Sequence, residues 1–279
     1  MTAELGRVGV WSGAHLWTDG AEHAAELEEL GFTALWLGGS PGGDLAVVDA
    51  LLGGTAALAV GTSIVSIWTD GPAGIATAFD RISTRFPGRF VLGLGASHAA
   101  LVESVTDKTY EKPYSKLVDY LDQLAVPMDS VALAALGPRT VKLAGARTRG
   151  ALPYLVTPEH TARARELLGA GPLLAPEQHV VLETDPARAR ELARGALAMY
   201  LGLPNYVNNW RRLGFTEDDV KGSDRLVDAL VAWGDEEAIR ERVAEHHAAG
   251  ADHVAIQVVT ADGGLDFAAY RSLAAALTG

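Results

Sequence analysis

Eight short apolar runs recur along the chain with helical segments between them, and this alternation limits the fold more than any other feature of the sequence. They lie at 7–12, 33–38, 58–65, 89–95, 130–136, 151–156, 178–183 and 253–259. Several are apolar almost throughout, without the in–out alternation of a half-solvated strand, which is the pattern of parallel strands covered on both faces. The intervening segments carry helix punctuation. Residues 22–30 place Ala24, Leu27 and Leu30 on one side and stop at Gly31; Asp235 stands where an N-cap would for a helix that stops at Gly250. The stretches AELEELGFTALWLGG and AEHHAAGADHVAIQVV each read as helix, glycine, buried strand, so one αβ unit repeats. The expectation is an α/β chain forming one (β/α)8 TIM barrel over residues 1–279, with a doubly wound open sheet as the competitor. The longest excursion, 186–234, reads as a helical insertion after the seventh strand, placed to act as a cap or an oligomer contact.

Composition removes several chemistries. The absence of cysteine excludes disulfides, thiolate nucleophiles, cysteine zinc sites and iron–sulfur clusters. A formal net charge of −12 with scattered basic residues argues against nucleic-acid binding. The N-terminal residues lack a basic region followed by an apolar run, and no apolar stretch is long enough to span a bilayer. A cytoplasmic protein with a small-molecule partner is the expectation.

In a barrel the carboxyl ends of the strands carry the site, and here they hold Trp11, Ser12, His15 and Trp17, then Gly38, Gly39 and Ser40, then Ser66, Trp68 and Asp70, then Ala96, Ser97 and His98. Neither glycine-rich stretch there is a dinucleotide fingerprint. GGSPGG lacks the spacing and puts Pro41 where an N–H is wanted, and GLGASH has His98 in place of the third glycine. Bare backbone at Gly93 and Gly95 would let a flat ring approach. In AALGPRT, Pro138 opens a helix whose free N–H groups could receive a phosphate, though a plain strand-to-helix turn accounts for the same residues. No metal is expected: His246 and His247 are adjacent and point to different sides of a helix, and no HExxH stretch exists. There is no GxSxG elbow and no lysine at a strand end for a Schiff base. What remains is a barrel holding a cofactor that carries the hard chemistry.

Taken together, GFTALWLGGS, VGTSIV, PGRFVLGLGAS, AALGPRTVKLA and WGDEEAIRERVAEHHAAGADHVAIQV resemble, in order and spacing, the luciferase-like monooxygenase superfamily, and within it the actinobacterial deazaflavin (coenzyme F420) dependent oxidoreductases. The resemblance implies a (β/α)8 barrel, commonly a homodimer, that binds F420 or FMN at the strand ends and has a non-prolyl cis peptide, here between Ser63 and Ile64. It further implies a cofactor site built from Gly39, Ser40, Ser63, Ile64, Val65, Gly95, Ala96, Ser97, Ala134, Ala135, Leu136, Gly137 and Pro138. Where deazaflavin dehydrogenases of this kind place a histidine and a proton-donating glutamate, this sequence has Ser40 and His98, which makes those two the catalytic candidates and assigns proton transfer to His98. Trp11, His15 and Trp68 would wall the substrate side. The implied activity is hydride transfer between F420 and a small organic molecule. An FMN-dependent monooxygenase is the alternative, and a flavin-binding barrel without catalysis is the non-enzymatic one.

Overall fold

The computed structural model describes residues 2–17 and 20–279. Thr18 and Asp19 follow the end of the first strand and lie outside the described residues.

All the expected strands form, and every pairing between them is parallel. In chain order the barrel strands are Val8–Gly13, Ala34–Gly38, Ala59–Thr62, Phe90–Gly95, Val131–Ala134, Gly150–Leu152, Glu177–Leu182 and Val254–Val258. The first strand lies between the second (Val10 opposite Leu35) and the eighth (Val8 opposite Val254). The hydrogen-bonded order ends at Leu173–Leu174 on one side and at Val231–Gly234, beside the seventh strand, on the other, and the chain itself closes the ring between the sixth and eighth strands. Leu173–Leu174 pairs with the sixth strand, Glu177–Leu182 pairs with the eighth, and only Ala175 and Pro176 separate the two pieces. Ala175 N–H donates to Ala151 O and Glu177 N–H to Pro153 O, so the ladder continues across the break and the sheet closes on itself.

Four details differ from the sequence expectation. The third run splits into Ala59–Thr62 and Val65–Ser66 around a cis Ser63–Ile64 peptide. The sixth is shorter than 151–156, because Pro153 has no N–H to offer a ladder. The seventh begins early, with Leu173–Leu174. An unexpected short strand, Val231–Gly234, lies against the seventh on the side opposite the eighth.

Helix ends follow the local chemistry. The first long helix, Ala21–Glu29, is followed by Gly31 at φ +90°, a conformation that glycine adopts without a Cβ penalty. The helix Glu236–Ala248 is capped by Asp235, whose carboxylate accepts from Ala238 N–H, and it is followed by Gly250 at φ +102°.

The barrel floor is closed by one large side chain among small ones. Trp36 is 1% exposed and clusters with Ala34, Ala59, Val91, Ala132, Ala175 and Ala255. Gly61 makes room for it: a Cβ there would sit 2.4 Å from the indole ring. The indole N–H donates to His253 Nε2 (3.0 Å), and His253 Nδ1–H donates to Gly6 O (3.0 Å), so both buried polar groups are satisfied.

The insertion after the seventh strand comprises the helices Pro186–Leu197, Pro204–Arg212 and Asp224–Leu230. It has a core of its own, including Ala193, Leu197, Tyr206, Trp210 and Leu226, which reaches Leu155 and Val181 of the barrel. Trp210 is fully buried and its N–H donates to Leu155 O (3.1 Å), fastening the insertion to the rim as a cap.

Candidate functional site

Above the Trp36 floor, at the carboxyl ends of the strands, lies a cavity of about 590 Å³. It has the volume of an ordinary small-molecule site. The loops after nearly every strand contribute to its wall, as does the helical cap.

Of the residues expected at the site, Trp11, His15, Gly39, Ser40, Ser63, Ile64, Ala96, Ser97, His98, Ala134, Ala135, Leu136 and Gly137 line this one cavity. Four do not. Val65 is fully buried beneath the wall, and Pro138 is exposed at the first turn of the helix Pro138–Arg147. Gly95 is packed from both sides: a Cβ there would lie 2.8 Å from Ile64 Cγ1 and 2.9 Å from Ala134 Cβ. Gly93 is tighter still, with Thr62 O at 1.8 Å from the same hypothetical atom. These two glycines let neighbouring strands approach, and the open surface expected for a ring is not there. Trp68 is 3% exposed and supports the wall from behind: its N–H donates to Ala96 O (2.9 Å) and its ring meets Tyr110 at 5.2 Å between centroids.

The bare backbone is elsewhere. Gly39 has φ +77° and no atom within 4 Å of where its Cβ would be, and Gly137 has only Arg212 Nη1 at 3.9 Å. Both face the cavity, from the second and fifth strand ends. The rest of the GGSPGG loop is held by its own chain: Ser40 Oγ accepts from Ser66 N–H (2.9 Å), and a Cβ on Gly43 would collide with Asp70 Oδ1.

One side of the cavity is an aromatic wall of which the sequence reading named Trp11 and missed the tyrosines. Trp11 lies over Gly38, where a Cβ would come within 2.0 Å of the indole, and its ring is 5.0 Å from that of Tyr154. Tyr154 follows the sixth strand, two residues past its end. Its hydroxyl donates to Gln257 Oε1 on the eighth (3.0 Å) and lies 3.2 Å from the Tyr200 hydroxyl of the cap. Tyr200 in turn packs edge-on to Tyr206 (5.1 Å), and Tyr206 packs on His98 (5.4 Å). Three barrel strands and the cap are thereby joined through one layer of rings. Beneath it, Glu177 and His179 are buried as a pair, with His179 Nδ1 2.6 Å from Glu177 Oε1 and Tyr154 edge-on to the imidazole at 5.6 Å.

Burial holds the tyrosines of the wall and His98 in their neutral forms. It pushes the Tyr154 and Tyr206 hydroxyls well above the ordinary tyrosine range, with the neighbouring Tyr200 and the Glu177 carboxyl adding to the effect, and it raises Tyr110 and Tyr200 as well. Burial also lowers His98, a shift partly offset by a hydrogen bond that the Asn205 side chain of the cap accepts from it. His98 is therefore a neutral imidazole at pH 7, better suited to accepting a proton than to storing one. Two ring nitrogens at the site, Trp11 Nε1 and His98 Nδ1, are shielded from solvent and have no partner.

The cap's part could not be found by reading strand ends. Met199, Tyr200, Asn205 and Tyr206 reach the cavity only because the chain folds back over the rim after the seventh strand. The available signal was the density of tyrosine and asparagine in MYLGLPNYVNN, set in a long excursion. Among the described residues, no group of three or more His, Cys, Asp or Glu side chains is placed to hold a metal, and no helix is long and apolar enough to cross a membrane.

Residues 3–125 match the family model of the luciferase-like monooxygenases. A Mycobacterium tuberculosis protein named, by inference, a coenzyme F420-dependent oxidoreductase is 25% identical, in an alignment covering 91% of this chain and 94% of that one. Among solved structures, an F420-dependent secondary alcohol dehydrogenase in complex with an F420–acetone adduct has a TM-score of 0.72 at 17% identity, covering 97% of both chains. The F420-dependent tetrahydromethanopterin reductase of Methanopyrus kandleri has a TM-score of 0.73, also at 17% identity and 97% of both chains. The oxygenating constituent of 3,6-diketocamphane monooxygenase from Pseudomonas putida, in complex with FMN, has a TM-score of 0.67 at 15% identity and 96% of both. At these identities the structural likeness concerns the fold.

Proposed function

We propose that the chain is a luciferase-like oxidoreductase that binds coenzyme F420 in the rim cavity and moves a hydride between it and a small organic molecule. The observation that carries this reading is the cavity itself: about 590 Å³, with Gly39 and Gly137 leaving bare backbone on its wall, aromatic groups opposite, and two buried ring nitrogens without partners. Those features fit a planar ring system with polar edges. Gly39, Ser63, Ile64, Ala96, Ser97 and Ala134 to Gly137 would hold the cofactor. Deazaflavin, when bound, supplies a two-electron hydride donor or acceptor.

The remaining work falls to the chain's own side chains. The Trp11, Tyr154, Tyr200 and Tyr206 layer keeps water from one wall and orients what lies against it. His98, neutral and fixed by Asn205, takes the proton released when an alcohol is oxidised and returns it when a carbonyl is reduced. Ser40 fixes the glycine loop by accepting from Ser66 N–H, which is a positioning role.

Titrating the protein with F420 and with FMN, following each cofactor's own fluorescence, tests this. Saturable F420 binding with weaker FMN binding is expected. Tight FMN binding with none for F420 would replace this reading with the flavin monooxygenase one.

A further inference from the structure

Among the described residues, the cavity wall contains no aspartate, glutamate, lysine or arginine. We propose that the substrate of this site is an uncharged molecule with an apolar or aromatic body and a neutral oxygen, a ketone, aldehyde or alcohol, and that carboxylates and ammonium ions are excluded. The proposal rests on the oxidoreductase reading and specifies its substrate class.

Arg212 borders the cavity only at its cofactor end, with Nη1 3.9 Å from where a Gly137 Cβ would be, and the charged groups on the other sides are committed outside it. The Lys108 ammonium donates to Trp68 O, and the Lys116 ammonium stands 5.2 Å from the Trp68 ring. The Arg139 guanidinium lies 4.2 Å from the Tyr114 ring centroid. Asp70 accepts from Thr69 Oγ1–H at 2.7 Å and packs behind Gly43. A charged substrate against the aromatic wall would lose its hydration and meet no opposite charge there, whereas a neutral one would meet rings and a hydroxyl. Burial keeps the Tyr206 phenol of the wall protonated, and that hydroxyl is a donor that serves a neutral oxygen without adding charge. At the rim, Leu101 and Met199 are 44% and 64% exposed and extend the apolar lining to the entrance.

The test uses three near-isosteric probes, benzylacetone, hydrocinnamate and the primary ammonium ion corresponding to benzylacetone. Their binding to the protein is measured by calorimetry with and without F420. Benzylacetone should bind at least about tenfold more tightly than either ion. Equal or tighter binding of an ion, or no binding of benzylacetone to the F420-loaded protein, overturns the proposal. Leu101→Lys, at an exposed position that leaves the core intact, should shrink the benzylacetone-to-hydrocinnamate ratio by about threefold or more by giving the anion a partner; an unchanged ratio overturns the claim that missing charge sets the selectivity. The two readings fail separately. If F420 does not bind but the probe ranking holds, the cofactor assignment falls and the substrate class stands. If bound F420 is oxidised or reduced with the ion and not with benzylacetone, the substrate class falls and the cofactor assignment stands.

Discussion

The floor of the barrel and its rim are built from the same strands, yet they spend their small residues differently. On the floor, alanines and Gly61 surround Trp36 and the space is filled. Along the fourth strand Gly93 and Gly95 allow strands to touch, and at the strand ends Gly39 and Gly137 face open space. A glycine at a strand end is therefore not by itself a sign of a ligand. What separates the two kinds is whether an added Cβ would meet the protein or nothing.

Paired substitutions break or sharpen that contrast. Gly93→Ala puts a methyl group against the Thr62 carbonyl and should cost about 3 kcal/mol in urea unfolding, by forcing strands apart. Gly39→Ala meets no atom and carries only the left-handed backbone penalty at φ +77°, about 1 kcal/mol, while placing a methyl group on the cavity wall and weakening F420 binding. Equal stability losses for the two, or unchanged F420 binding in Gly39→Ala, would remove the distinction between packing glycines and site glycines.

Buried histidines away from the rim also carry a pH liability. Burial lowers His253 to about 4 and His246 to about 3 from the ordinary 6.5. Their neutral forms are built in: His253 Nε2 accepts from Trp36 N–H, and His246 Nδ1 accepts from Thr161 Oγ1–H while Nε2–H donates to Gln178 Oε1. The unfolded chain takes up protons first, so the stability these groups contribute is full above pH 6.5 and is lost as pH falls from there towards 4 and 3. Thermal melts should show Tm falling through that window, and His253→Gln should flatten the slope. A Tm independent of pH between 6.5 and 4 would contradict the neutral assignment.

The smallest expected effect is at the rim. Tyr154→Phe deletes the hydroxyl that joins Gln257 and Tyr200, and it should cost about 1 kcal/mol or less of stability. The same change should loosen the cap, read as faster hydrogen exchange over Pro204–Arg212.

The sequence shows the barrel more fully than the site. Strands covered on both faces become uninterrupted apolar runs, and helix ends are written in Asp235, Gly31 and Gly250, so eight strands and their order could be read locally. The interrupted parts were harder. Leu173–Leu174 and Val231–Gly234 are too short for a periodicity, and their identity as strands comes from partners far away in the chain. At the site, residues on strand ends such as Trp11, Ser97 and His98 were legible because barrel topology brings strand ends together. Tyr200, Asn205 and Tyr206 were not, since their position depends on Trp210 anchoring the cap to Leu155. Trp68 misled for a related reason: it follows a strand end, but its N–H is committed to Ala96 O and its ring turns away from the cavity.

The most direct test of the rim as a cofactor site is a crystal structure of the protein with F420. The account predicts the deazaflavin ring inside the cavity, against Gly39 and the Ala134–Gly137 segment and facing the Trp11–Tyr154–Tyr206 wall. A ring bound anywhere else, or a cavity that stays closed to F420 at saturating concentration, would contradict it.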